Sequence, residues 1–224
     1  VVSVVLVGVF RWLDPPGSSV ILQERLAMGT KSPVHHSWVS FPEISPEFAL
    51  AVVAAEDQKF PQHNGFDFGA IRDAFTSNLR GGRLRGGSTI SQQVAKNLFL
   101  WNGRSYLRKG VEAWFTLLLE TLWPKQRILE IYMNIAQFGP GVFGVAAASE
   151  LYFKRSAAKL TREQSALLAA ALPAPSRYRV TAPSAYMRKR QHWILRQMQA
   201  LGGTGYLHQL TANRRFPSAS LVTG

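Results

Sequence analysis

The chain has 224 residues, 46% of them hydrophobic, no cysteine and a formal net charge of +13. That length buries a sizeable core as one large domain or one domain with a mobile lobe, and the apolar content excludes general disorder. Disulfides and thiolate metal sites are excluded, and the positive balance calls for a polyanionic partner: nucleic acid, anionic headgroups or a phosphorylated substrate.

Val1–Phe10 is apolar apart from Ser3 and Gly8 and closes on Arg11-Trp12. A bilayer span needs about 20 apolar residues, so this stretch is too short alone. It reads either as the outer half of a truncated membrane anchor, with Trp and Arg at the interface, or as a buried β-strand rich in valine. Asp14-Pro15-Pro16-Gly17 separates it from an extended or mixed connector over 18–44. Ser45 as N-cap, Pro46 at the first position and Glu47 in the first turn predict a helix with Phe48, Val52 and Ala55 on one face. It should fail near Phe60-Pro61. A further helix is expected over Phe68–Leu79, then a flexible basic loop over 80–87.

Ser88 is read as the cap of a helix over about 89–100. Leu107, Val111, Trp114, Leu118 and Leu122 give helical spacing to a long helix over about 105–122, which Pro124 ends. Helices are expected over 127–136, 145–152 and 161–171, the last with a Thr161–Gln164 capping box, and Gly139-Pro140-Gly141 with Gly144 marks a tight turn. Residues 184–201 are amphipathic and basic, and the tail from about Thr211 reads as loose. The class is mainly α, without internal repeats.

Two separated acids, with cations and amides between them, carry the chemistry. Glu56 falls in the last turn of its helix beside Asp57. The helix dipole's negative end and the neighbouring acid both disfavour ionisation, so its pKa should be raised, as suits a general base or acid. A solvated helix end is the plainer alternative. Gly86 and Gly87 before a helix start suit a phosphate, with Gln92, Gln93 and Lys96 in the first turns. Arg104 precedes the next helix, and Arg108 and Lys109 oppose its dipole before Glu112. A locally unfavourable arrangement of this kind marks a site, with a salt-bridge ladder as the alternative. There the cations would grip a diphosphate and Glu112 a metal or sugar cation. Tyr132 and Asn134 read as packing and capping rather than groove lining, and His63 as a hydrogen-bonded structural histidine. The five histidines show no metal-ligand spacing. Ser156-x-x-Lys159 matches a penicillin-binding tetrapeptide but lacks a Lys-Thr-Gly partner.

Taken together, Glu56-Asp57…Phe60…His63-x-Gly65-Phe66-Asp67, Gly87-Ser88-Thr89-Ile90-x-Gln92-Gln93-x-x-Lys96-Asn97, Arg108-Lys109-x-x-Glu112, Ile128-Leu129-Glu130-x-Tyr132-x-Asn134 and Tyr152-Phe153-Lys154 resemble the monofunctional biosynthetic peptidoglycan glycosyltransferases, over roughly residues 12–180. The resemblance implies a lysozyme-like head with a smaller flexible jaw (roughly 66–110) within a glycosyltransferase domain over 14–210, a membrane-proximal or anchor segment over 1–13, and a flexible tail over 211–224. It implies inverting polymerisation of lipid II into β-1,4-linked glycan with release of polyprenyl diphosphate, on the periplasmic side of a bacterial inner membrane held by a single pass. Glu56 would be the base, supported by Asp57. Glu112 would stabilise positive charge or hold Mg²⁺ or Mn²⁺. Lys96, Arg104, Arg108 and Lys109 would neutralise the diphosphate, and Ser88, Thr89, Gln92 and Gln93 would position sugar and phosphate. Implied partners are lipid II, the nascent strand, the membrane and other cell-wall synthesis proteins, and no nucleic acid.

Leu98–Trp101 reads as dipping into the lipid interface or as core. The rival readings are a lysozyme-like hydrolase or lytic transglycosylase acting on finished glycan, and a non-catalytic basic binding protein whose stretches at 80–85, 188–190 and 214–215 hold phosphates.

Overall fold

The computed structural model describes residues 1–29, 33–69, 72, 87–101, 103 and 105–212. Helices dominate, as the sequence predicts: α1 (Val2–Phe10), α2 (Ser19–Met28), α3 (Pro46–Glu56), α4 (Ile90–Phe99), α5 (Tyr106–Leu122), α6 (Lys125–Ile135), α7 (Val145–Phe153), α8 (Arg162–Ala171), α9 (Ala185–Ala200) and a last turn, α10 (Gln209–Ala212). Three short strands, β1 (His35–His36), β2 (Gln137–Gly139) and β3 (Val142–Phe143), form a sheet in the order β1-β3-β2. β1 runs parallel to β3 and β2 antiparallel to it. The expected tight turn is the β2–β3 hairpin and its exit. Gly144 has φ +79°, and a Cβ there would lie 2.6 Å from the Asn134 carbonyl oxygen, so only glycine fits.

α3 passes through the interior. Every residue from Phe48 to Ala54 is buried, so the predicted one-sided stripe is too narrow; a helix apolar all round is a buried helix. On one side Ala51 and Ala54 meet Ala166, Ala169 and Ala170 of α8 and Ile194 and Met198 of α9, where small side chains allow close approach. On another, Phe48 meets Phe138 with ring centroids 5.9 Å apart. Ser45 does not cap α3 with its side chain. Its hydroxyl donates instead to the Leu160 carbonyl, 2.9 Å away, tying the helix start to the approach to α8. α4 buries Ile90, Val94, Ala95 and Leu98 against α5 and α6. Asn134 joins α6 to the chain before α3 through Val39, donating to its carbonyl at 2.8 Å and accepting from its N–H at 3.0 Å, the packing role expected of it.

One alternative falls and one element differs from expectation. The apolar lead is a helix, which sets aside the strand reading of it. The only sheet among the described residues does not include it, and a helix satisfies its own backbone groups. Val7 is buried against α5, where the Trp123 indole donates to its carbonyl at 2.7 Å. Within 18–44, α2 replaces the expected connector. Ser18 caps it by accepting from the Ile21 N–H at 3.2 Å, and Leu, Gln, Glu, Arg, Ala and Met are strong helix formers. Its apolar period is blurred because Ile21 is buried while Leu22 and Leu26 are exposed. No helix among the described residues is long and apolar enough to cross a membrane. Phe68, Gly69 and Arg72 are helical; the remainder of the helix expected over 68–79, the basic loop through Gly86 and the tail from 213 lie outside the described residues.

Candidate active site

The site begins where α3 stops. Asp57 leaves the helix in an extended conformation (φ −162°), and the chain turns back through His63 and Gly65 towards α4. Asp57 accepts from His63 Nε2 at 2.9 and 3.0 Å and from the Ile90 N–H at 3.0 Å. His63 Nδ1 accepts from the Gly65 N–H at 3.1 Å, which places the ring proton on Nε2 and makes His63 the structural histidine expected. Asp57 therefore sits at the N-terminus of α4, where negative charge is favoured. At the first amide of that helix, the anion is this chain's own carboxylate rather than a phosphate.

The cap of α4 is one residue later than predicted. Thr89 accepts from the Gln92 N–H at 3.2 Å while Gln92 Oε1 accepts from the Thr89 N–H at 3.0 Å, a complete capping box. Thr89 has glutamine three residues on and Ser88 has serine, which decides between them. The Thr89 hydroxyl also donates to the Gly65 carbonyl at 2.7 Å. Asp57, Thr89 and Gln92 are all buried, and these bonds join the turn after α3 to the start of α4. Ser88 is exposed beside them. Gly65 (φ +86°) packs so tightly that a Cβ would come within 2.7 Å of Thr116 and 2.9 Å of Glu120. Below it Lys125 donates to Glu120 at 2.8 Å and to the His63 carbonyl at 2.6 Å, a buried pair to which the Ser91 hydroxyl also bonds.

Glu56 points the other way. Its side chain is 13% exposed. Oε2 accepts from Gln93 Nε2 at 3.0 Å, and Gln93 Oε1 accepts from the Tyr132 hydroxyl at 3.2 Å. Arg190 on α9 approaches Oε1 to 3.5 Å, and Oε1 has no hydrogen-bond partner. Burial raises the Glu56 pKa. Gln93, Arg190 and Lys96 oppose the rise and Asp57 adds to it. The predicted direction holds, but the leading cause is burial rather than the neighbouring acid.

Glu112 is buried in a contrasting setting. Arg108 donates to its Oε2 at 3.0 Å and Lys109 bonds its Oε1, one and the same helix carrying all three. Lys96 lies within electrostatic reach of both acids. It keeps a solvent-exposed flank, yet the protein packed around it lowers its pKa, Glu112 opposes that, Arg108 and Lys109 add to it, and Glu56 opposes it more weakly. The end of α3, the middle of α4 and the first turns of α5 thus share one electrostatic neighbourhood, in which a buried carboxylate stands beside three cations. Arg104 lies outside the described residues. The donor set at Glu112 does not fit a resident divalent cation. Both carboxylate oxygens already face cations, and no group of three metal-ligating side chains occurs among the described residues.

A family profile described as Transglycosylase matches residues 23–199. The chain belongs to the transglycosylase family. It is 51% identical over 216 residues to a protein of Pseudomonas putida W619, covering 95% of this chain and 92% of that one, and 54% identical over 201 residues to one of Shewanella oneidensis MR-1, covering 89% and 86%. A protein of Pseudomonas aeruginosa PAO1 is 51% identical over 211 residues, with 93% and 91% covered. All three are named biosynthetic peptidoglycan transglycosylase. Within this transglycosylase the sequence reading missed Arg190, which it treated as part of a surface basic stretch. The signal was present: Met187, Ile194 and Met198 are the buried positions of α9, and Arg190 interrupts that stripe at helical spacing. It also placed Tyr132 in packing alone, without its bond to Gln93.

Proposed function

We propose that the protein is a peptidoglycan glycosyltransferase that polymerises lipid II into β-1,4-linked glycan, through a lysozyme-like head and a jaw lobe over roughly 66–110. The observation that carries this reading is the pairing of an incompletely hydrogen-bonded buried acid, Glu56, with the Lys96–Arg108–Lys109 cluster that Lys96 joins to it. Glu56 removes the proton from the acceptor sugar's 4-hydroxyl. The freed oxygen attacks the donor's anomeric carbon, the bond to the diphosphate oxygen breaks, and the configuration inverts. Lys96, Arg104, Arg108 and Lys109 offset the charge that grows on the leaving diphosphate. Glu112 holds Arg108 and Lys109 in place, and Ser88, Gln93 and the α4 start line the approach. A divalent cation, where one takes part, would enter with the diphosphate, since the described residues provide no cage for it.

On the same reading, Val2, Val5, Trp12, Leu13, Trp101, Tyr106 and Leu107, all exposed, lie against the inner membrane from the periplasmic side, with α1 as the membrane-proximal end of an anchor. Of the Leu98–Trp101 segment only Trp101 is available for this. Leu98 and Leu100 are buried, and Phe99 stacks on Phe115 at 4.4 Å.

Incubation with lipid II, and separately with purified cell wall, tests the reaction. Polymer from lipid II with release of polyprenyl diphosphate is expected, and product from the wall alone would replace this reading with a hydrolase or lytic enzyme.

A further inference from the structure

Glu56 is served unequally on its two oxygens. Oε2 is held by Gln93, which turns its NH₂ to the carboxylate, an acceptor only, and its own oxygen to the Tyr132 hydroxyl, which donates at 3.2 Å. Oε1 is buried without a hydrogen bond, and Arg190 stands off it at 3.5 Å. Arg190 does not reach there by accident of a flexible surface chain. It lies between Met187 and Ile194 on the buried face of α9, its side chain is 22% exposed, and its Nε is also buried without a partner.

We infer that Arg190 and the Tyr132–Gln93 pair are positioning residues: they orient the Glu56 carboxylate and hold a cation 3.5 Å from it while the group takes the proton. A guanidinium held at ion-pair distance favours the carboxylate without taking a hydrogen bond from it. The division of labour follows from the directions of the bonds. Gln93 orients the carboxylate, Tyr132 satisfies the amide oxygen that Gln93 turns away from it, and Arg190 favours the ionised group in surroundings that oppose ionisation. Among the described residues, the charged and titratable groups facing Glu56 are Asp57 beside it, Lys96 from α4, Tyr132 from α6 and Arg190 from α9. Asp57 is already paired with His63 and Lys96 also faces Glu112; among the described residues Arg190 is the cation that forms an ion pair with Oε1.

This inference rests on Glu56 being the base, and the experiment separates the two. The pH dependence of kcat/KM for lipid II polymerisation is measured for the full chain, Arg190→Gln, Arg190→Lys and Tyr132→Phe, with Glu56→Gln as control. Removing the Arg190 charge should move the acid limb to higher pH by about one unit, the lower end of what an opposite charge at this range exerts. Arg190→Lys should restore most of that shift, and Tyr132→Phe should lower kcat several-fold with KM little changed. An acid limb unmoved in Arg190→Gln overturns the inference. Should that variant fail to fold, an acid limb unmoved in Arg190→Met, together with unchanged kcat in Tyr132→Phe, overturns it equally. Polymerisation by Glu56→Gln at the wild-type rate would instead remove the base assignment beneath it. A merely structural Arg190 would change the yield of folded protein without moving the pH limb.

Discussion

Glu56 and Glu112 are the same residue type, both withdrawn from water, in one electrostatic neighbourhood, and they are treated in opposite ways. Glu112 faces a cation on each oxygen, both from its own helix. Glu56 has one amide, one guanidinium at a distance and one oxygen with no hydrogen bond at all. A fully compensated buried carboxylate organises its neighbours, whereas an incompletely compensated one keeps chemical capacity. Environment, rather than residue identity, separates the two roles.

The comparison breaks most visibly in turnover. Glu56→Gln should cost about a thousandfold in lipid II polymerisation, within the range of general-base removal, while binding of lipid II to the folded variant persists. A gel assay of polymer formed checks the rate, and titration of labelled lipid II checks the binding. Stability should divide the two acids by sign. Glu112→Gln leaves Arg108 and Lys109 facing a neutral amide and should destabilise by about 3 kcal/mol, the low end for breaking a buried pair, because Lys109 is half exposed. Glu56→Gln should not destabilise at neutral pH. The raised pKa of Glu56 means that the folded chain holds this proton more tightly than the unfolded chain, so that contribution is full below the ordinary value of 4.5 and is lost as pH rises through the folded value. The variant, which mimics the protonated acid, should gain on wild type across that window and match it in acid, as thermal melts from acid to neutral pH would read.

Smaller effects sharpen the contrast. Lys96→Gln, which removes the cation between the two acids, should raise KM for lipid II about tenfold, as loss of one charge-assisted contact does, and should weaken the salt dependence of polymerisation. Trp101→Ser combined with Leu107→Ser touches neither acid and should weaken binding to anionic liposomes several-fold. Unchanged liposome binding would remove that surface from the membrane reading.

Much of the fold was readable because its signals are local. Pro46 at a first helical position and the Thr161–Gln164 box each depend on residues within a few positions of one another, whereas of the stripe Leu107, Val111, Trp114, Leu118 and Leu122 only Leu118 is buried. The same locality made the Arg108–Lys109–Glu112 cluster legible, because one helix carries it. Errors arose where a tertiary partner decides. Ser18 starting α2 depends on Ile21 finding the core, and Ser45 turns its hydroxyl to Leu160 instead of its own helix. The Glu56 surroundings come from α4, α6 and α9, far apart in sequence, so Glu56 could be singled out while Arg190 and the Tyr132 hydroxyl could not. Thr89, Gln92 and Asp57 were chosen as binding residues for their chemistry, and the same chemistry builds the joint between α3 and α4.

The central claim is that burial and an incomplete set of partners keep Glu56 as the base. Its carboxyl carbon can be followed by NMR in protein labelled at glutamate, assigned through Glu56→Gln, alongside the pH dependence of kcat/KM for lipid II. The account predicts that Glu56 titrates above the ordinary glutamate value and that its midpoint coincides with the acid limb of activity. A Glu56 that titrates at or below the ordinary value, while activity falls at a different pH, would contradict it.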